Sequence, residues 1–234
     1  MIDMHCHVLP GVDDGSASAA ETRELLQMAW NQGVDSIIAT PHFSHHTDFA
    51  KLKERLQLTK EIAKKIDPSF QIFPGQEIMY FEEIIDWLDR KRALTLAESR
   101  YVLVEFQPGD KFIKLQRAVR ELVSAGYLPV IAHVERYQCL REKGRTAELI
   151  GNGAYLQVNS STVTGGLFDR DAGWCRHEIA EKRIHFVASD MHDPKHRPPH
   201  MQEAYRKLKK YGPAVPKRLM ELNQTYILKD RVLK

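Results

Sequence analysis

The residues of this 234-residue chain best able to do chemistry are histidines and carboxylates placed just past short apolar runs. Two pairs are spaced i and i+2, His5 with His7 and Asp190 with His192. In extended backbone such residues point the same way, so each pair can reach one ion. Further candidates are Asp14 in Val12-Asp-Asp-Gly, His42 after Ala39-Thr-Pro, Glu77 in Gly75-Gln-Glu, Glu105 and His133. Five imidazoles and four carboxylates, with no thiolate, suit Mn²⁺, Fe²⁺ or Zn²⁺ better than a structural Cys-rich zinc site. Nine donors exceed what one ion needs; two or three ions sharing bridging carboxylates would use them. Ions about 3.5 to 4 Å apart hold both the attacking and the leaving oxygen in phosphoryl-type hydrolysis. Asp14 is the least determined member, because Asp13 sits in the same loop and either could form the turn before Gly15.

The elements that must position these groups follow a rhythm of strand and helix. Seven short β-branched or apolar runs, at 2–4, 36–39, 71–73, 101–104, 129–132, 155–158 and 184–188, read as strands. Between them lie segments of helical period, among them 19–32 stopped by Gly33, 48–66 stopped before Pro68, and 112–125 stopped by Gly126. Strands separated by helices run parallel with right-handed crossovers, and seven or eight such units close naturally into a barrel, an open doubly wound sheet being the alternative. No repeat or linker interrupts the chain, so residues 1–234 read as a single domain, closed by one or two helices over 201–234. Six of the seven strands run into His, Asp or Glu, at the end where barrel enzymes do chemistry. Burying that many ionisable groups together is costly unless they are paired or bound to cations.

Composition excludes other classes. With 34 Lys+Arg against 31 Asp+Glu, the net charge of +3 gives no footprint for nucleic acid, and the lysine-rich stretches alternate with apolar residues as solvated helix faces do. The longest apolar runs fall far short of the roughly 18 to 20 residues that span a bilayer, so no membrane insertion is expected. The N-terminus, Met1-Ile-Asp-Met-His, has no signal-peptide pattern. Cys6, Cys139 and Cys175 are odd in number and widely spaced, which favours reduced thiols and a cytoplasmic location. Cys139 with Arg145-Thr146 does match the Cys-x5-Arg-Ser/Thr signature of thiol phosphatases. Yet that loop carries Arg141, Glu142 and Lys143 where small residues are needed, so the match is read as chance. Cys6 has Val12 where an Arg would be required and is expected to pack inward.

Met1-Ile-Asp-Met-His-Cys-His-Val-Leu-Pro-Gly-Val-Asp-Asp-Gly15, Ala-Thr-Pro-His42, Gly-Gln-Glu77, Glu105-Phe, Val-Ile-Ala-His133-Val-Glu-Arg136 and Ala-Ser-Asp190-Met-His192 together resemble the PHP (polymerase and histidinol phosphatase) superfamily over nearly the whole chain. Asp-Asp-Gly-Ser, His-x-Glu-Arg and Arg197-Pro-Pro-His-Met are similar to the bacterial protein tyrosine phosphatases of capsule and exopolysaccharide clusters. The resemblance implies a distorted (βα)7 barrel and a trinuclear site commonly filled with manganese or iron. It also implies hydrolysis of phosphotyrosine on a partner bacterial tyrosine kinase that controls polysaccharide export. It places His5, His7, Glu77 and Asp190 on one ion, Glu77, Glu105 and His133 on a second, and Asp14, His42 and His192 on a third. Arg136 and Arg197 match positions expected to grip the phosphate, and their planar guanidinium forks suit its oxygens. The expected mechanism is attack by a metal-bound hydroxide in line with the leaving tyrosine oxygen. A histidinol-phosphate phosphatase, a polymerase-associated exonuclease and a non-enzymatic metal-stabilised interaction domain are the competing readings. Two loops could shape partner choice: 43–48, carrying His45 and His46, and the region of Asn159-Ser-Ser161 and Gly165-Gly166 after the one strand whose end offers no charged ligand.

Overall fold

In the computed structural model, which describes residues 1–233, strands and helices alternate from the N-terminus. They are β1 (Ile2–Cys6), α1 (Ala19–Asn31), β2 (Ser36–Ala39), α2 (Phe49–Ile66), β3 (Gln71–Pro74), β4 (Glu77–Met79), α3 (Ile84–Asp89), β5 (Tyr101–Glu105) and α4 (Phe112–Ser124). Then follow β6 (Leu128–Ile131), α5 (Arg145–Gly151), β7 (Tyr155–Asn159), α6 (Ser160–Thr164), α7 (Arg170–Ala180) and β8 (Phe186–Ala188). The chain closes with α8 (Met201–Leu208), α9 (Val215–Lys217), a π-helical turn (Arg218–Leu222) and α10 (Asn223–Leu228). No helix among the described residues is long and apolar enough to cross a membrane.

Local chemistry explains the boundaries. Ser18 accepts the Glu21 N–H while Glu21 reaches back to the Ala17 N–H, a reciprocal cap that opens α1. Asp48 accepts from the N–H groups of Ala50 and Lys51 at the start of α2, and Asp169 does the same for Asp171 and Ala172 at α7. On α4, Leu115, Ala118, Val119 and Leu122 recur at helical spacing and are buried, joining Val102 and Val104 of β5 in the larger core cluster.

Every strand pair is parallel, in a three-stranded sheet β1-β2-β3 and a five-stranded sheet β4-β5-β6-β7-β8. Isolated parallel bridges Cys6–Met191 and His42–Glu77 lie where the two sheets approach. The strand count corrects the expectation of seven, because the third is two strands parted at Gly75-Gln76. A Cβ on Gly75 would come within 2.9 Å of Ile38 Cγ2, so only glycine lets the backbone pass this close to β2 before β4 pairs with β5. The closing segment is also more broken than one or two helices, since Gly212 and Pro213 interrupt it after α8. Lys234, the last residue of that expectation, lies outside the described residues.

A second apolar cluster is enclosed by the strands: Met4, Ile38, Leu103, Val130, Ala132, Phe186 and Ala188, with Ile227 of α10. Truncating one of its large aliphatic side chains to Ala would cost about 2 to 5 kcal/mol. The C-terminal tail covers the beginnings of the strands, where Tyr101 Oη donates to Arg231 O and Tyr155 Oη to Leu233 O. The strand ends at the opposite pole are left for polar groups.

Candidate metal centre

Four of the candidates come from the ends of β1 and β8 and the start of β4. His5 Nε2 lies 3.2 Å from Glu77 Oε2 and 3.4 Å from Asp190 Oδ1, and His7 Nε2 lies 3.3 and 3.5 Å from the same two oxygens. These four residues are all buried. Beside them a second group gathers His7, Asp14, His42 and His192, and a third gathers His42, Glu77 and Glu105, each with its donor atoms within 4.8 Å of one another. His133 Nε2 stands 2.8 Å from Glu77 Oε1 and 3.6 Å from Glu105 Oε2. All nine candidates therefore face one hollow, with Glu77 at its centre. The grouping differs from the expected partition in detail: His7 joins Asp14, His42 and His192, and His42 also faces Glu77 and Glu105.

The donor chemistry fits divalent cations. His7 Nε2 and His5 Nε2 are 3.4 Å apart, two nitrogens of fully buried rings turned toward the same carboxylates. Asp13 Oδ2 lies 2.7 Å from His7 Nδ1 and accepts the His42 N–H, while Gly15 N–H donates to its Oδ1. That makes Asp13 a partner of a candidate ligand and leaves His7 Nε2 for a cation. His192 Nδ1 is 2.9 Å from the Asp190 carbonyl, and its Nε2 is buried with no hydrogen-bond partner among the described residues. A carbonyl can only accept, so Nδ1 carries the proton and the orphaned Nε2 holds a lone pair.

Without cations the hollow draws protons instead. Burial by itself lowers the affinity of His7 for a proton, but hydrogen bonds to Asp13 and Glu77 carry it up to about 9. His42 likewise reaches about 9, against the cost of burial, through Glu105 and Glu77. Burial opposes charge on Glu77 as well, yet His5 and His133 hold its carboxyl well below the usual range. His192 is pushed down to about 4 by burial and the neighbouring His7, so its ring is neutral at pH 7. Positive charge is demanded at this place, and metal ions meet that demand without protonating their own ligands.

Asp190 is shared between two surroundings. Its Oδ1 faces His5 and His7, while its Oδ2 accepts from Arg136 Nη2 at 2.6 Å, Arg197 Nη2 at 2.8 Å and Asn159 Nδ2 at 2.8 Å. Both guanidinium groups are about 40% exposed and border a cleft of about 80 Å³ together with Ser161, Ser189 and His200. Tyr137 Oη, 3.3 Å from His133 Nδ1, gave no signal in the sequence beyond its place after Arg136.

Other features separate from the centre. His45 is exposed and lies 4.7 Å from the Phe81 ring in an aromatic group with Phe43 and Trp87, and His46 is exposed too. Burial raises the Cys139 thiol above its ordinary value, and Arg145 pairs with Glu142 and Glu148 and covers the Phe112 ring. No phosphate-binding thiol loop is formed there. Cys6 is fully buried in the core, its thiol 3.6 Å from the Ile38 carbonyl.

Residues 1–229 match the family model described as capsular polysaccharide synthesis, CpsB/CapC. The chain is 35% identical over 243 residues to the tyrosine-protein phosphatase CpsB of Streptococcus pneumoniae, covering 100% of both proteins. It is 35% identical over 240 residues to the tyrosine-protein phosphatase YwqE of Bacillus subtilis, covering 100% of this chain and 93% of that one. A chain from the crystal structures of YwqE from Bacillus subtilis and CpsB from Streptococcus pneumoniae, described as unique metal-dependent tyrosine phosphatases, superposes with a TM-score of 0.92 at 33% identity. That match covers 100% of this chain and 96% of the other. This chain belongs to the CpsB/CapC family of capsular polysaccharide synthesis.

Proposed function

We propose that this protein is a metal-dependent protein tyrosine phosphatase that hydrolyses phosphotyrosine on a protein partner, a bacterial tyrosine kinase of capsule or exopolysaccharide synthesis. The observation that carries the reading is Asp190, which turns one oxygen to the buried histidines and the other to two half-exposed arginines. Ligands for cations and a grip for phosphate thus meet at one carboxylate.

His5, His7, Glu77 and Asp190 would hold one ion, Glu77, Glu105 and His133 a second, and Asp14, His42 and His192 a third, with Mn²⁺ the first choice and Fe or Zn the alternatives. When bound, such ions polarise a water for attack at phosphorus and neutralise charge on the phosphoryl oxygens. Arg136 and Arg197, each tethered to Asp190 through Nη2, line the cleft and keep further N–H donors free of Asp190. There they bind the non-bridging oxygens and stay bound as charge builds during departure of the tyrosine oxygen. Asn159 and Ser161 border the same cleft at the side where β7 contributes no charged ligand, the side from which the tyrosine ring would approach.

The two sheets together form one distorted barrel of seven βα units, β3 and β4 counting as a single interrupted strand. Support comes from the parallel pairing throughout and from the bridges Cys6–Met191 and His42–Glu77. Three unpaired cysteines fit a cytoplasmic location. The reading is tested by assaying the Mn²⁺-loaded protein on a phosphotyrosine peptide, a phosphoserine peptide and histidinol phosphate side by side. Preference for the phosphotyrosine peptide is expected; faster turnover of histidinol phosphate would move the activity to small phosphomonoesters.

A further inference from the structure

β7 is the strand that brings no charged group to the hollow, yet its last residues are polar and buried. Gln157 is fully buried and Asn159 is 4% exposed. Spaced i and i+2, they face the same side of the strand.

Their hydrogen bonds form one chain with a fixed polarity. The His133 backbone N–H, which can only donate, points at a Gln157 atom 2.8 Å away. That atom must be the oxygen, which settles the orientation of the Gln157 amide. Nε2 then faces Asn159 Oδ1 at 2.9 Å, and Asn159 Nδ2 donates to Asp190 Oδ2 at 2.8 Å. Asn159 is itself pinned where its backbone N–H donates to Glu135 Oε1. His5 Nδ1 lies 3.1 Å from the same Gln157 oxygen, so Nδ1 carries a proton, and Nε2, which faces Glu77 and Asp190, is the nitrogen left to bind a cation.

One amide thus acts on three ligand-bearing elements. It selects the tautomer of His5 in β1, and it holds the backbone of His133, a residue in the left-handed region at φ 31°. Through Asn159 it also orients Asp190, likewise at positive φ (53°), after β8.

We propose that Gln157 is the positioning residue of the metal site: a buried amide that sets the tautomer of His5 and, relayed by Asn159, aims Asp190 at the same ion. The idea rests on the metal reading of the hollow, and its test separates the two. The full-length chain, stripped with chelator, is titrated with Mn²⁺ by calorimetry as wild type, Gln157→Leu and Gln224→Leu, with folding followed by circular dichroism. Gln224 is an equally buried amide that donates to the Leu219 carbonyl and, at 3.5 Å, to the Val187 carbonyl in β8, with no bond to a side chain of the nine candidate ligands. Gln157→Leu is expected to weaken the tightest Mn²⁺ site about 10- to 100-fold, the range seen when partners of metal ligands are removed. Gln224→Leu is expected to lose thermal stability while keeping wild-type Mn²⁺ affinity. In ¹⁵N-histidine spectra of the zinc-loaded protein, His5 should show a protonated Nδ1 in wild type and in Gln157→Glu, which keeps an acceptor oxygen. This spectrum decides the matter if Gln157→Leu fails to fold. Wild-type Mn²⁺ affinity in Gln157→Leu, an equal loss in Gln224→Leu, or loss of the His5 Nδ1–H signal in Gln157→Glu would overturn the proposal. A wild-type chain that takes up no Mn²⁺ would overturn the metal reading instead.

Discussion

Asp13 holds His7 in place, its Oδ2 2.7 Å from the ring Nδ1 and only 6% of its side chain exposed. The next residue, Asp14, faces elsewhere, its Oδ1 3.4 Å from His42 Nε2 and 3.7 Å from His192 Nε2, with a side chain 64% exposed. Consecutive carboxylates in one loop therefore take separate tasks, one behind a candidate ligand and one in front of the hollow.

Asp14→Ala should remove one ion from the metal complement and leave the others. Asp13→Ala should keep every site but weaken metal binding about 10- to 100-fold, because the His7 ring loses its orienting partner. Metal-to-protein ratios by elemental analysis, with Mn²⁺ titrations of both variants, check this. A full complement in Asp14→Ala would show that Asp14 is not a ligand.

Arg136→Ala and Arg197→Ala should each lower kcat/KM for a phosphotyrosine peptide about 10- to 100-fold, the loss of one charge-assisted contact worth roughly 1.5 to 3 kcal/mol. Metal content should not change. Steady-state kinetics with elemental analysis make the comparison, and an unchanged kcat/KM would remove that arginine from the phosphate site.

Much of the candidate site was legible because its polar residues lie at or just past strand ends, so that His5, His7, His42, Glu105, His133, Asp190 and His192, placed from runs of Val, Ile and Ala, do come together in the fold. Glu77 was legible as a candidate ligand but not as the first residue of its own strand. The break at Gly75 depends on how closely the backbone passes Ile38, a tertiary distance that no local pattern encodes. Choosing between Asp13 and Asp14 required the path of the loop, for both residue types form turns equally well. Gln157 and Asn159 carried a readable signal, two amides at i and i+2 within an apolar strand. Their targets lie 152 and 31 residues away along the chain, at His5 and Asp190, and could not be read locally.

His185 should make the fold sensitive to mild acid. Its Nδ1 accepts the Leu156 N–H, and burial, with Arg218 nearby, pushes its pKa down to about 4. The unfolded chain takes up this proton near pH 6.5 and the folded chain only near pH 4. Stability is therefore complete above about pH 6.5 and falls by about 3 kcal/mol as the pH drops to 4. His185→Gln, which keeps an acceptor but cannot titrate, should lack this component in urea unfolding at pH 7 and pH 5. Identical pH dependence in variant and wild type would show that His185 is not its source.

The metal-centred mechanism is tested most directly by stripping the protein with chelator and assaying an aryl phosphate before and after Mn²⁺ is returned, in wild type and Cys139→Ser. The expected result is loss of hydrolysis on stripping, recovery with Mn²⁺, and the same behaviour in Cys139→Ser. Activity that survives complete metal removal but disappears in Cys139→Ser would contradict it.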